Sequence, residues 1–537
     1  MMKKLLLLSS LFCVLTSYSQ QYTQILDVNF EQALIDLGID SDGLVNGQVL
    51  TSDISGVTSL DVQYKNIGDL TGIGDFAALT NLNCNDNELT SLDLSQNLEL
   101  TDLYCKYNRQ LASLDLTQNL KLTDLDCSVN QLTSLDVTKN PELTNLTCTN
   151  IQLISLDVTQ NPKLEYLSCY RNQLTVLDFT KNPDLKIIDC RFNDLISLDV
   201  TKNTQLRELD CGGNDLITLD VTKNTQLTEL YCFEATLKSI NVSHNTLLEI
   251  LYCNSNQLMN LDVTKNINLK TLRLNSNFLT SLDVSKNTKL ENLQCGSNSI
   301  TSLDVSKNTL LANLTCGSNS ITSLDVSKNI ELRFLGCQYN SLTDLDVSKN
   351  SALIRLYCYN NQLTSLDASN NPNLTEFLCS NNELLSLNIK NGNNDKLVAH
   401  PTSPHSFNEG FDATNNASLA CIQVDDETAA INGMSPYGTW KKDVTATYSE
   451  DCQSVLGVDD EILAEGLSLY PNPVDNMLSI RSELALEKIE IYSILGQRVK
   501  EVNSDFNSIS TENLSRGIYM IKLYSEKGTV VRKLIKQ

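Results

Sequence analysis

From about residue 58 the chain repeats one pattern of apolar and polar positions every 21 residues, and this repetition outweighs every other signal. A representative unit is Leu279–Ser299, LTSLDVSKNTKLENLQCGSNS. It has two similar halves, L-x-x-L-D-V-x-x-N from Leu279 to Asn287 and L-x-x-L-x-C-x-x-N from Leu290 to Asn298. In L-D-V and in L-x-C the outer residues alternate with the middle one, the two-residue period of a short strand. The apolar residues then point inward and the middle residue points out. The Asn three positions after Val or Cys is placed to bond neighbouring backbone as the chain turns. Two strands per 21 residues predict one coil of a solenoid, and stacked coils place equivalent side chains in ladders about 4.8 Å apart. Fifteen coils on that spacing predict a rod roughly 70 Å long. One coil cannot bury its own apolar side, so the array is stable only as a stack.

The pattern changes at both ends. Lys3 and Lys4 precede an apolar run from Leu5 to about Leu15, too short to cross a bilayer, and small residues Ser17 and Ser19 follow. Residues 1–19 therefore read as a cleaved secretory signal. Residues 20–57 predict an N-terminal helical cap. Asn29-Phe30-Glu31-Gln32 resembles a capping box, Leu26, Phe30, Ala33, Leu34 and Leu37 share one helix face, and Gly38 stops the helix. The repeat fills residues 58–390. Residues 391–456 predict a C-terminal cap, with loops at 391–394 and 401–404 and one last degenerate coil from Phe411 to Val424. Cys421 lies two periods after Cys379, and the lone Trp440 and Cys452 follow in a stretch suited to closing the end. Residues 457–465 are an acidic link containing Val458-Asp459-Asp460-Glu461. Residues 466–537 hold several short strands, among them Ile489–Tyr492, Arg516–Leu523 and Val531–Lys536, with a turn at Leu495-Gly496-Gln497. They predict a small β-sandwich. The fold class is thus a repeat solenoid, mainly β with parallel sheets and a helical N-terminal cap, followed by a small C-terminal β-sandwich.

Two resemblances follow from these motifs. The two L-x-x-L halves in 21 residues resemble the bacterial leucine-rich-repeat family over about residues 58–390. That resemblance implies a right-handed solenoid and a binding role. The chain departs from longer repeats of that kind by carrying Cys at one inward slot and leaving no room for a long convex helix. Y-P-N-P at Tyr470–Pro473, I-Y-x-x-x-G at Ile491–Gly496, L-x-x-G-x-Y at Leu514–Tyr519 and K-L-I-K at Lys533–Lys536 closely resemble the C-terminal sorting domain of the type IX secretion system. This second resemblance implies passage through the periplasm, export by the type IX machinery through residues 466–537, and surface attachment or release, in a bacterium of the Bacteroidetes type.

Composition narrows the function. Asp and Glu number 65 against 40 Lys and Arg, a formal charge of −25. Such a chain repels phosphate backbones and anionic lipid surfaces, so nucleic acid is not an expected partner. No later stretch approaches 18 uninterrupted apolar residues, so no membrane insertion is expected. Three His residues leave little room for acid–base chemistry, and no nucleophile elbow, phosphate loop or Ser/His/Asp set is evident. The chain reads as a non-enzyme without a cofactor. His400 and His405 read as loop residues, and Asp40-Ser41-Asp42-Gly43 as a plain turn lacking the closing Glu of a Ca²⁺ loop.

Fourteen cysteines occupy one inward slot: Cys84, Cys105, Cys127, Cys148, Cys169, Cys190, Cys211, Cys232, Cys253, Cys295, Cys316, Cys337, Cys358 and Cys379, with Leu274 standing in once. The favoured reading is a small buried hydrophobe. Stacked disulfides fit by Cα spacing but not by side-chain direction, and metal binding lacks a C-x-x-C pair. Cys421 and Cys452 stand apart and are expected to pair in the end cap, whereas Cys13 leaves with the signal.

The two outward columns differ. In L-D-V the middle residue is Asp in nearly every coil from Asp93 to Asp367, often with Lys three positions on, as at Lys139, Lys202 and Lys286. A solvated column partly offset by lysines is the favoured reading, and Ca²⁺ bridging between coils is the alternative. The L-x-C strand varies instead. Its outward slots hold Tyr104, Tyr107, Tyr170, Arg171, Arg191, Phe192, Tyr231, Phe233, Tyr252, Arg273, Tyr339, Tyr357 and Tyr359, interleaved with Asp126, Asp189 and Asp210. Tyr and Arg anchor interfaces, so these residues are the candidate ligand-binding set, against the alternative that repeat copies drift and Tyr simply suits strands. The expected function is adhesion or recognition of an extracellular protein or glycan, secreted or at the cell surface. A structural spacer and a carbohydrate-binding accessory to hydrolases are the other readings.

Overall fold

The computed structural model describes residues 20–398, 410–452 and 467–537, without 483–484, 494–496 and 526–527. The signal segment, His400 and His405, the acidic link and the turn at Leu495-Gly496 lie outside the described residues. The chain divides into two units, up to Asn361 and from Gln362.

The first unit opens with strand Tyr22–Gln24, antiparallel to Gln48–Leu50, and a nine-residue helix, Val28–Asp36. The helix cap is Asp27 rather than Asn29. One Asp27 oxygen accepts from the N–H groups of Asn29 and Phe30, and the other from those of Gly68 and Asp69. The cap thus also ties the helix to the first coil. Phe30, Ala33 and Leu34 are buried as expected, and the Phe30 ring lies 6.3 Å from that of Phe76. Leu26 and Leu37 are instead 66% and 48% exposed. Both flank the helix rather than belong to it, so helical periodicity does not govern them. Glu31 is buried because its carboxylate accepts from the N–H groups of Asn46, Gly47 and Gln48. Asp40–Gly43 is a turn, in which Asp42 accepts from the Leu44 N–H.

From Ser59–Asp61 to Arg355–Tyr357, fifteen three-residue strands pair in parallel, each with the next coil. Register follows the repeat: Leu209 faces Ile188 on one side and Leu230 on the other. Each coil buries the same set. In one coil this is Leu198, Val200, Leu206, Leu209 and Cys211. Each buried Leu contributes about 1.5–3 kcal/mol relative to an exposed one, which stacking alone makes available. Past the strand, the residue two positions after Cys takes a left-handed conformation, as at Tyr107 (φ 57°), Phe192 (φ 52°) and Gly213 (φ 64°). The next residue is the ladder Asn. Asn193 donates to the carbonyls of Cys190 and Cys169 and accepts from the Leu174 N–H, so one amide joins two coils.

The L-D-V half differs from expectation. In the first unit it forms turns rather than a second strand ladder, apart from one bridge between Asp199 and Asp220. Side chains of this half serve the turns. Asp199 accepts from the N–H and hydroxyl of Thr201, and Asn203 donates to the Phe179 and Asn182 carbonyls.

All fourteen ladder cysteines are buried free thiols. Burial pushes Cys84, Cys148 and Cys316 up to about 12, so they sit as neutral hydrophobes.

In the second unit both halves form strands. Glu376–Leu378 pairs with Phe411–Ala413 and that with Lys441–Lys442. Ser365–Asp367, Ser386–Asn388, Cys421–Gln423 and Thr447–Ser449 form the other sheet. The last degenerate coil is therefore followed by one more rung. Cys421 is not in the cysteine ladder despite its spacing. Ala413 fills that slot, and Cys421 opens the strand of the other half, where it pairs with Cys452 in a disulfide. Trp440 packs on Phe411 and Tyr437 at 4.7 and 4.5 Å, and its Nε1 donates to the Leu397 carbonyl.

The tail is a sandwich of antiparallel sheets. Leu467–Tyr470, Met477–Ser482 and Ser508–Ser510 form one. Arg498–Val502, Leu486–Ser493, Gly517–Ser525 and Gly528–Lys536 form the other, in that order. Val474, Leu478, Ile480, Ile489, Ile491, Ile521 and Leu534 fill the space between them. Glu490 is buried on the opposite face of its strand from Ile489 and Ile491 and accepts from the Tyr492 and Tyr524 hydroxyls and from Arg498. These bonds hold its carboxyl well below the usual range.

Candidate functional site

The outward side of the parallel sheet presents columns at three levels: the residue before the strand Leu, the residue after it, and the residue after Cys. The candidate residues separate along these levels. Tyr104, Tyr231, Tyr252, Arg273 and Tyr357 follow the Leu, whereas Tyr170, Arg191, Phe233 and Tyr359 follow the Cys. Tyr107, Arg171, Phe192 and Tyr339 occupy the left-handed position, at the rim.

Five of them meet. Arg191, Tyr231, Phe233, Tyr252 and Arg273 line one depression of about 520 Å³, together with Asp189, Glu208, Asp210, Glu234 and Asn254. The Tyr231 and Tyr252 rings are edge to face at 4.9 Å, and the Arg273 guanidinium lies 4.2 Å over Tyr252. Arg191 stacks 5.0 Å from the Tyr170 ring and stands 3.2 Å from a carboxylate oxygen of both Asp189 and Asp210. Its Nε makes no hydrogen bond, so the contact to Asp189 is Coulombic. Phe192 and Phe233 are 6.0 Å apart. Gly212 and Gly213 make room for them: a Cβ on Gly212 would stand 2.5 Å from the Phe233 ring, and one on Gly213 2.3 Å from the Phe192 ring.

The carboxylates of this depression are perturbed. Burial and the facing Asp189 push Asp210 up to about 7, against the pull of the Gly212 N–H and Arg191. Burial also raises Asp189, and burial with Glu229 and Asp189 raises Glu208. Tyr231 is raised by burial and by its hydrogen bond to Glu229.

A second aromatic group lies further along the same face. Phe334 and Tyr357 meet at 5.1 Å, Tyr339 and Tyr359 at 5.3 Å, and Arg355 lies 4.9 Å over Phe334. Tyr357 is only 4% exposed, so it supports this group from beneath rather than presenting a ring, contrary to its place in the candidate set. Tyr104 and Tyr107 lie outside both groups, Tyr107 beside Arg109, and Arg171 is exposed outside the depression. Glu208, Glu229, Phe334 and Arg355 fall outside the candidate set, which holds only positions after the strand Leu. They stand two residues earlier, and strand alternation alone puts them on the same face.

Comparison with known proteins now places the chain. Residues 468–537 match the secretion system C-terminal sorting domain family. Among solved structures, the functional domain of InlJ from Listeria monocytogenes, which includes a cysteine ladder, is 28% identical with a TM-score of 0.60, over 97% of this chain and 100% of that one. A leucine-rich-repeat protein of Leptospira interrogans is 25% identical with a TM-score of 0.57, over 62% of this chain and 92% of that one. The repeat region is a leucine-rich-repeat solenoid. A TDR receptor, 18% identical with a TM-score of 0.56 over 70% of this chain and 68% of that one, shares that fold. No curated protein sequence matches the chain. The sorting domain marks this leucine-rich-repeat protein for export to the cell surface or extracellular space. Among the described residues no helix is long and apolar enough to cross a membrane.

Proposed function

We propose that this exported protein is a non-catalytic adhesion or recognition protein whose ligand lies on the variable sheet face, centred on Arg191, Tyr231, Phe233, Tyr252 and Arg273. The observation that supports this reading is the gathering of these residues around one depression, on a stack whose other positions repeat almost unchanged. Aromatic and Arg side chains give large, rigid contact area at low entropic cost. A protein partner is the primary reading. A glycan is the second, because ring faces beside carboxylates also suit sugars. A full chain carrying Tyr231→Ala, Phe233→Ala and Tyr252→Ala keeps its thermal transition and loses the protein or glycan captured by the parent chain on extracellular ligand arrays. Unchanged capture by the triple variant overturns the assignment of the face.

A further inference from the structure

At four places along the stack a Lys on one coil pairs with a Glu on the coil before. Lys121 sits on Glu99, Lys163 on Glu142, Lys186 on Glu165 and Lys270 on Glu249. In the depression like charges meet instead. Asp189 faces Asp210 and Glu208 faces Glu229 in direct register, so four carboxylates stand on adjacent rungs about 4.8 Å apart. Like charges directly opposite destabilise a sheet. Arg191 forms ion pairs with Asp189 and Asp210 and reaches Glu208 only through space. Among the described residues no cation pairs with Glu208, Glu229 or Glu234.

The aromatic walls of the same depression complete the picture. This face already stacks its own arginines on rings, Arg191 on Tyr170, Arg273 on Tyr252 and Arg355 on Phe334. Among the described residues no such cation stacks on Tyr231, which lies beside Glu208 and Glu229. A guanidinium or ammonium group here would gain both ring and carboxylate contacts. The second aromatic group lies four rungs beyond Tyr252, roughly 19 Å at the sheet spacing. An extended peptide of about six residues spans that distance, and the rungs between present small or polar side chains such as Asn292, Gln294 and Thr315.

We infer that the depression is the docking site for an arginine or lysine side chain of an extended basic segment in a partner protein, seated against Glu208, Glu229 and Tyr231. This deepens the binding role proposed above and rests on it. The test titrates the full chain with a labelled Gly-Arg-Gly-Arg-Gly-Arg peptide, beside peptides with Glu or Ser in place of Arg. The arginine peptide binds, and the Glu and Ser peptides bind at least tenfold more weakly. Glu208→Gln with Glu229→Gln weakens the arginine peptide at least tenfold, whereas Asp262→Asn with Asp283→Asn, in the exposed Asp column, leaves it unchanged. Equal weakening by the two double variants overturns the inference, because the peptide then reads only the protein's overall negative charge. No preference for the arginine peptide, while a protein or glycan ligand is still lost in the Tyr231/Phe233/Tyr252 variant, overturns the basic partner and leaves the binding role standing. A ligand retained by that aromatic variant overturns the binding role itself.

Discussion

Two columns of carboxylates run along the same stack, and they behave in opposite ways. In the L-D-V column, Asp136, Asp199 and Asp220 are exposed and accept hydrogen bonds from the residue two positions on, which holds their carboxyls below the usual range. On the variable face, Asp189, Glu208 and Asp210 are crowded by one another and by rings, which raises them. The difference lies in how deeply each carboxylate is buried and which charges face it. A turn supplies N–H and hydroxyl donors at no further cost, so the Asp column is part of the fold. On the sheet face Asp189 and Asp210 also accept from the N–H two positions on, but burial, and for Asp210 the facing Asp189, outweighs those bonds, which suits the group to an external cation.

The largest expected effect comes from removing the rung behind both columns. Leu209→Ala takes a fully buried side chain from the stack and costs about 2–5 kcal/mol, read as a lower urea midpoint with the slope retained. Were its cost close to zero, the coils would not share one core.

A second, smaller effect separates the columns by pH. Asp210 has a folded pKa of about 7, above its ordinary 3.8, so the folded state holds the proton more tightly than the unfolded chain. Stability therefore rises as pH falls through 7, and this gain is complete below about 4. The groups acting on it are Asp189 and Glu208, which raise it, and Arg191 and the Gly212 N–H, which lower it. The Asp column has the opposite sign. Its contribution is full above 3.8 and is lost as pH falls through the depressed folded values. Urea midpoints against pH should climb from pH 8 towards 5 and fall again under stronger acid. Asp210→Asn should flatten the climb and keep the fall, and a climb unchanged by that variant would contradict the raised carboxyl.

The smallest effect is none at all. The ladder cysteines lie beneath the variable face, buried and protonated, so a thiol reagent at pH 8 should label none of them in the folded chain and all fourteen after denaturation. Labelling of Cys190 or Cys211 in the folded state would mean that the depression opens into the core.

Much of this protein was legible from its residues, and the reason is the stack. When each coil meets a near copy of itself, the 21-residue period alone assigns Leu209 to the core, Asp199 to one column and Tyr231 to another, because a one-residue slip would bury every polar position. The tail was legible through motifs from Tyr470 to Lys536, and the Cys421–Cys452 pair through its isolation from the ladder. The tertiary structure decided what depends on contact between different coils. It made the L-D-V half of the first unit a run of turns. It put Ala413 rather than Cys421 in the inward slot, covered Tyr357, and assembled Glu208 and Glu229 with Tyr231 on one surface. Periodicity says which residues share a column. Which of them are crowded, screened or left without a partner is set by the side chains one rung away, and no single repeat contains that information.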